Sequence, residues 1–368
     1  MGASGVTCRD IVAAYQRDMM PTLALGLRLA DTRVAVRSNS GELMDALTAH
    51  YQDFLDEAGN PDIVVTALDG GPVPSVLPFA SREGQGEDAK EEYVDLPDGR
   101  VVRKRRTGLW LVFGPGGHYV LGPCRQNVDQ VVNAVNARCG DRELRAGALL
   151  FHAAGVCLGG AGITLSGFAG AGKSTLALEI MRHGASFVSN DRVLIGPGAD
   201  GLTMTGIARM PRINPGTLLH NEALAPVLTE AERAAYAGLS PDALWRVEHK
   251  YDVRIRDCFG PGRFRLRAGL RALVVLGWRR GGGDMRARWT DVDASPELLP
   301  AFMKDVGVFF EEGPRPATQD AYRALLGACP VLVIGGGVDF KRAAALCLDV
   351  LGPPAVPASG PAAAPCFV

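Results

Sequence analysis

The sequence lacks every cysteine arrangement that would carry chemistry. Cys8, Cys124, Cys139, Cys157, Cys258, Cys329, Cys347 and Cys366 include no CxxC pair and no Cys/His cluster at zinc spacing. Scattered single thiols read as reduced, which gives a cytoplasmic protein as the expectation. The first twenty residues carry Arg9, Asp10, Arg17 and Asp18 and lack the basic start and apolar core of a secretion signal. Net charge is lacking too. Lys and Arg number 39 against 40 Asp and Glu, so no global field draws nucleic acid or an acidic membrane. Charged side chains are absent altogether from Gly147 to Gly172, a length that imitates a membrane span. That stretch is too rich in glycine, and it carries His152, Thr164 and Ser166. It reads as two buried strands and a loop, so no membrane partner is expected.

What is present is a globular composition, with 47% apolar and 21% charged residues. The 46 glycines and 24 prolines forecast many loops, and 368 residues favour two domains. Residues 1–143 read as an N-terminal α+β domain. It should hold helical spacing over 8–30 (broken by Pro21), a strand over 33–40, a helix over 41–55 and a strand over 61–69. An exposed Gly/Pro-rich and charged loop follows, then a hairpin from 101–114 and 118–123, and a helix over 127–139 stopped by Cys139-Gly140-Asp141. Residues 144–351 read as an α/β domain, with strands over 148–158, 162–167 and 186–196. The tail, 352–368, is rich in Pro, Ala and Gly and reads as disordered.

The most informative segment is Gly167-Phe168-Ala169-Gly170-Ala171-Gly172-Lys173-Ser174, a complete G-x-x-x-x-G-K-[ST] pattern with Thr175 next. Its glycines let the backbone curl so that several N–H groups point at one anion, and the following helix adds its positive end. Lys173 has the reach for β- and γ-phosphates, and the Ser174 hydroxyl suits Mg²⁺. An apolar strand before it and an amphipathic helix after it fit the motif. No Asn-Lys-x-Asp base-reading motif occurs, and the strand RALVVLGW (271–278) ends without a carboxylate. The nearest acid is Asp191, only 17 residues after Ser174.

That short spacing carries a resemblance. His152, the glycine loop, ALEIMRHG and SFVSNDRVLI together resemble the catalytic core of HPr kinase/phosphorylase, and most closely the divergent HPr-kinase-related kinase B proteins. PRINPG (211–216), KYDV (250–253), CFGPGRF (258–264) and GGVDF (336–340) are similar as well, so the likeness covers roughly residues 145–350. It implies an α/β P-loop kinase core related to that of phosphoenolpyruvate carboxykinase. It also implies ATP and Mg²⁺ as cofactors and a serine hydroxyl of a partner protein as acceptor. By position, Gly167 to Ser174 would bind phosphates, with Ser174 and Asp191 as metal ligands. Asp191 matches the second Asp of the family's pair, and His152 the His that faces the reacting phosphate. Asn190 replaces the first Asp, usually assigned to proton transfer. An amide accepts no proton at neutral pH, so Asp191 or His152 serves as base or catalysis is weak. The family's downstream metal-assisting Glu has no counterpart between Gly201 and Gly216.

Further basic residues are candidates for contact with the transferring phosphate: Arg212 in the rigid PRINPG loop, Lys250, and Arg263. Lys250, Arg254 and Arg256 alternate as on one strand face. The run Arg103-Lys104-Arg105-Arg106 has no stacking aromatics and reads as solvated rather than as a nucleic-acid patch. Asp339 reads as the N-cap of a helix. The resulting expectation is an ATP- and Mg²⁺-dependent kinase acting on a protein hydroxyl. A small-molecule kinase, a nucleotide sensor without turnover and an assembly ATPase are the alternatives, and a homo-oligomer is left open.

Overall fold

A computed structural model describes residues 5–17, 19–57, 59–74, 77–81, 89–168, 170–310 and 316–352. The tail beyond Gly352, read as disordered, lies outside the described residues, and so does Ala169 of the glycine loop. The architecture is mixed α/β, built on two large sheets.

The first sheet forms from the strands before residue 123. Helix α1 (Cys8–Gln16) is opened by a capping box in which Thr7 and Asp10 satisfy each other's N–H groups. It stops before Pro21, and the expected helical run to residue 30 does not form. LALGLRL alternates with period two, and Leu27 and Leu29 are buried as β1 (Leu23–Leu29). Then come β2 (Thr32–Ser38), α2 (Gly41–His50), β3 (Ile63–Asp69), β4 (Ala80–Ser81) and β5 (Glu91–Leu96). Helix α2 ends short of the expected residue 55, and Leu55 instead bridges Leu27. The segment 101–114 is two strands rather than one, β6 (Gly99–Lys104) and β7 (Trp110–Gly114), before β8 (Gly117–Gly122). The order is β1-β2-β3-β8-β7-β6-β5-β4. β5 occupies ground expected to be loop, because its charges are matched across the ladder. Glu91 faces Lys104 at 2.7 Å and Glu92 faces Arg103 at 2.5 Å.

Helix α3 (Val128–Arg145) runs through the expected stop at Cys139-Gly140-Asp141. The Phe310 ring lies where a Cβ at residue 140 would be only 3.0 Å away. Gly140 therefore serves close packing and not termination. The helix also runs across the boundary expected at 143/144.

The second sheet takes β9 (Leu149–Phe151), β10 (Ala153–Leu158) and β11 (Ala161–Gly167), followed by α4 (Lys173–Arg182). Next come β12 (Ser186–Ser189), β13 (Val193–Gly198) and β14 (Gly201–Gly206). The uncharged run thus gives three strands, because the chain breaks at His152. The remaining elements are β15 (Arg212–Ile213), α5 (Pro215–Leu219), α6 (Glu230–Ala237), α7 (Pro241–Trp245), β16 (Tyr251–Asp252) and α8 (Ile255–Phe259). They are followed by β17 (Arg267–Leu276), β18 (Arg286–Thr290), α9 (Gln319–Leu326), β19 (Val331–Gly335) and α10 (Phe340–Leu351). The order is β12-β10-β11-β17-β14-β13-β9, with β19 beside the second half of β17 and β18 beyond it. β11, β17 and β19 run parallel, and Gly167 pairs with Leu276 where β11 and β17 end. In open α/β sheets, ligands bind in the crevice outside such carboxyl ends.

Helices α4 and α10 cover one face of this sheet through Leu176, Ile180, Ala343 and Cys347, all buried. The other face is sealed by Phe151, Phe302 and Tyr322, fully buried and in mutual ring contact. No helix among the described residues is long and apolar enough to cross a membrane.

Candidate phosphate-binding site

The glycine loop joins the end of β11 to the start of α4. Gly167, Gly170 and Gly172 have φ of +146°, +79° and +84°, conformations that side chains rarely adopt. At Gly172 space is short as well, since a Cβ would come within 2.8 Å of the Phe340 ring. The Trp278 indole donates to the Ala171 carbonyl at 2.7 Å and meets Phe340 edge to face at 5.0 Å. These two aromatics, one just past β17 and one opening α10, fix the loop from below. Asp339 does cap α10, accepting from the Arg342 N–H at 3.0 Å. The N-cap of α4 is Gly172, which has no side chain to cap it, so among the described residues no N-cap side chain takes up the first-turn N–H groups of the helix. Phe168 is 72% exposed at the tip.

Lys173 folds back on its own loop and donates to the Gly167 carbonyl at 2.9 Å and the Phe168 carbonyl at 3.5 Å. Burial lowers its pKa, Asp191 counters that, and the positive charge of Lys304 adds to the lowering. Thr175 shares a 2.8 Å hydrogen bond with Thr217 of α5, which ties the first turn of α4 to the PRINPG segment.

Asn190 and Asp191 sit in a tight turn between β12 and β13, where a single strand over 186–196 was expected. The turn is tied off by Ser189, whose hydroxyl donates to the Arg192 carbonyl at 2.5 Å and accepts from the Ile207 N–H. Ser174 Oγ donates to Asn190 Oδ1 at 2.6 Å, so the loop hydroxyl meets the amide rather than Asp191. Asp191 turns the other way. Its Oδ1 lies 3.1 Å from His152 Nε2, and its Oδ2 lies 3.3 Å from Lys304 Nζ and 3.9 Å from Arg192 Nε. Burial opposes its ionisation. The His152 hydrogen bond and the Lys304 charge outweigh that and hold the carboxyl down at about 2.

His152 occupies the break between β9 and β10, where its N–H donates to the Phe302 carbonyl at 2.8 Å. Its side chain is 34% exposed, so it is not a sealed core histidine. Lys304 escaped the sequence reading. It stands 131 positions after Lys173, in a segment with no motif. Packing places it: Phe302 lies against Phe151, Met303 bridges Phe151, and the Tyr322 hydroxyl accepts from the Lys304 N–H while donating to the Leu150 carbonyl.

The three other basic candidates are not brought to the loop by any hydrogen bond or ion pair among the described residues. Arg263 donates to the Met181 and Ala185 carbonyls and so closes the far end of α4. At 1.5 Å per residue, that end is ~15 Å from Lys173. Arg212 pairs with Asp252 at 3.6 Å across β15 and β16. Lys250 is exposed, and the strand expected through Arg254 and Arg256 is only Tyr251–Asp252, because α8 begins at Ile255.

Among the described residues no group of three or more His, Cys, Asp or Glu gathers as a metal cage. Among them the two expected metal ligands are not brought together by any hydrogen bond or ion pair: Ser174 meets Asn190, and Asp191 meets His152 and Lys304.

No family model matches the chain, and no curated protein matches it. Among solved structures, the chain is similar to the Hpr(Ser) kinase/phosphatase from Coxiella burnetii. The likeness covers 55% of this chain and 87% of that one, at 12% identity and a TM-score of 0.28. At that score it carries no argument about site or substrate.

Proposed function

We propose that this protein binds ATP at the 167–175 loop and transfers its γ-phosphate to a hydroxyl, with a serine of a partner protein as the acceptor. The observation that carries the reading is that a loop with three positive-φ glycines and Lys173, leading into α4, is joined through the Ser174–Asn190 hydrogen bond to the turn that holds the Asp191–His152 pair. The loop and Lys173 would hold the phosphates. Ser174 and Asp191 would hold Mg²⁺, whose chemistry when bound is to neutralise phosphate charge. In the transfer, a bond forms between the acceptor oxygen and the γ-phosphorus, and the bond to the β–γ bridging oxygen breaks. The hydroxyl proton passes to Asp191 or to His152. The protein acceptor rests on the HPr-kinase resemblance of residues 145–350.

A second reading, a nucleotide sensor without turnover, is favoured by the Ser174–Asn190 hydrogen bond, which sets an amide where an acid would supply charge and a base. Incubation with γ-labelled ATP and lysate separates the readings. Label on protein serine supports the kinase, label on a small molecule redirects the acceptor, free phosphate alone marks an ATPase, and bound but unconsumed ATP marks the sensor.

A further inference from the structure

We propose that Lys304 is the side chain that recognises the γ-phosphate, and that its ion pair with Asp191 is the resting position of that side chain. The proposal rests on the reading of the loop as an ATP site. Lys304 is the only ammonium besides Lys173 that the hydrogen bonds and ion pairs of the described residues bring to this cluster. Its backbone is held at Lys304 and at Phe302. The Lys304 N–H donates to the Tyr322 hydroxyl at 3.2 Å, and two residues earlier the Phe302 carbonyl holds the His152 N–H. Among the described residues its ammonium has one partner, a carboxylate oxygen at 3.3 Å, and 25% of the side chain is exposed.

Phosphoryl transfer requires a cation at the γ-oxygens as charge spreads over them, in addition to the lysine of the loop. Among the described residues Arg212, Lys250 and Arg263 have no contact that would bring them there, while Lys304 is held 3.3 Å from Asp191, next to the Asn190 that meets Ser174 of the loop. Lys304 is near enough to Lys173 to disfavour its charge, while Asp191, the ion-pair partner of Lys304, favours it. An incoming triphosphate would offer Lys304 more negative charge than one carboxylate does. A diphosphate ends before that point, so Lys304 should separate ATP from ADP.

The test is titration of ATP and of ADP into the whole chain, in chelator without metal, for wild type, Lys304→Met and Lys304→Arg. The expected result is that Lys304→Met weakens ATP about tenfold, as loss of one charge-assisted contact does, and leaves ADP unchanged. Lys304→Arg should keep most of the preference for ATP. An unchanged ATP-to-ADP ratio in Lys304→Met overturns the proposal and makes Lys304 a structural partner of Asp191. Wild type that binds neither nucleotide overturns the ATP reading itself, and this proposal with it. Equal loss of ATP and ADP, or a Lys304→Arg variant no better than Lys304→Met, also contradicts it.

Discussion

The charges of the first sheet and those around the glycine loop differ in what holds them. On β5 and β6, Glu91 and Glu92 meet Lys104 and Arg103 across one antiparallel ladder, and the Arg103 guanidinium also stacks over Phe79 at 4.3 Å. Each such charge is bound by a partner fixed on the neighbouring strand. Around the loop, Lys173 rests on two carbonyls of its own loop, Ser174 on an amide, and Lys304 and His152 share one carboxylate. Those are contacts a polyanion can replace without disturbing a strand. The strand ends differ likewise: β7 and β8 close in a tight turn at Gly114–Gly117, while β11 opens into a glycine loop that leads into α4 with no side-chain cap at Gly172.

The comparison breaks most visibly at Lys173. Lys173→Ala should lower phosphoryl transfer by ~10²–10³ with an unchanged unfolding transition, since a loop lysine supplies charge to the transition state and little to the fold. Equal ATP turnover by mutant and wild type in a coupled ADP assay would remove the loop from the mechanism. Asp191→Asn should also cost orders of magnitude in transfer while metal-free ATP affinity stays close to wild type. Recovery at high Mg²⁺ or Mn²⁺ would assign Asp191 as ligand, and its absence would leave the proton or the placement of His152.

Asn190→Asp sharpens the question of the base. The new carboxylate keeps the acceptor for Ser174 and adds a proton acceptor, so transfer should rise, toward the ~10²-fold that base catalysis typically contributes. A fall would show that repulsion from Asp191 dominates. In the first sheet, burial beside Arg138 lowers His118 to about 4. The unfolded chain takes up a proton near pH 6.5 that the folded one refuses. His118 should therefore cost no stability above that pH, and stability should fall as pH drops from 6.5 toward 4, on the order of 2 kcal/mol. Denaturant midpoints across that range should flatten in His118→Phe. The smallest effect belongs to Arg103→Ala: no change in transfer and about 1 kcal/mol in stability, because Arg105 still faces the Glu92 carboxylate at 3.6 Å.

The strand–loop–helix unit was legible because its chemistry is local: glycines, Lys173 and Ser174 lie within one turn of chain, and the 17-residue step to Asp191 is one helix and one short strand. His152 was legible by its position ahead of the loop, although its strand was expected to be continuous. Lys304 was not, because Phe302 packing on Phe151 and the Tyr322 hydroxyl place it, and neither contact leaves a pattern in the sequence. The same holds for Gly140, whose isolated glycine reads as a stop until Phe310 is seen against it. Basic residues in local patterns were misleading for the opposite reason: Arg263 closes the end of α4 through the Met181 and Ala185 carbonyls, and the alternation of Lys250, Arg254 and Arg256 is broken where α8 begins at Ile255.

The measurement that bears most directly on the central claim is transfer from γ-labelled ATP, with Mg²⁺, by wild type and Lys173→Ala side by side in the same lysate. The account predicts label on a serine of one or a few proteins with wild type and at least ~10²-fold less with the variant. Label of equal strength from both, or none from either while wild type leaves ATP unbound, would contradict it.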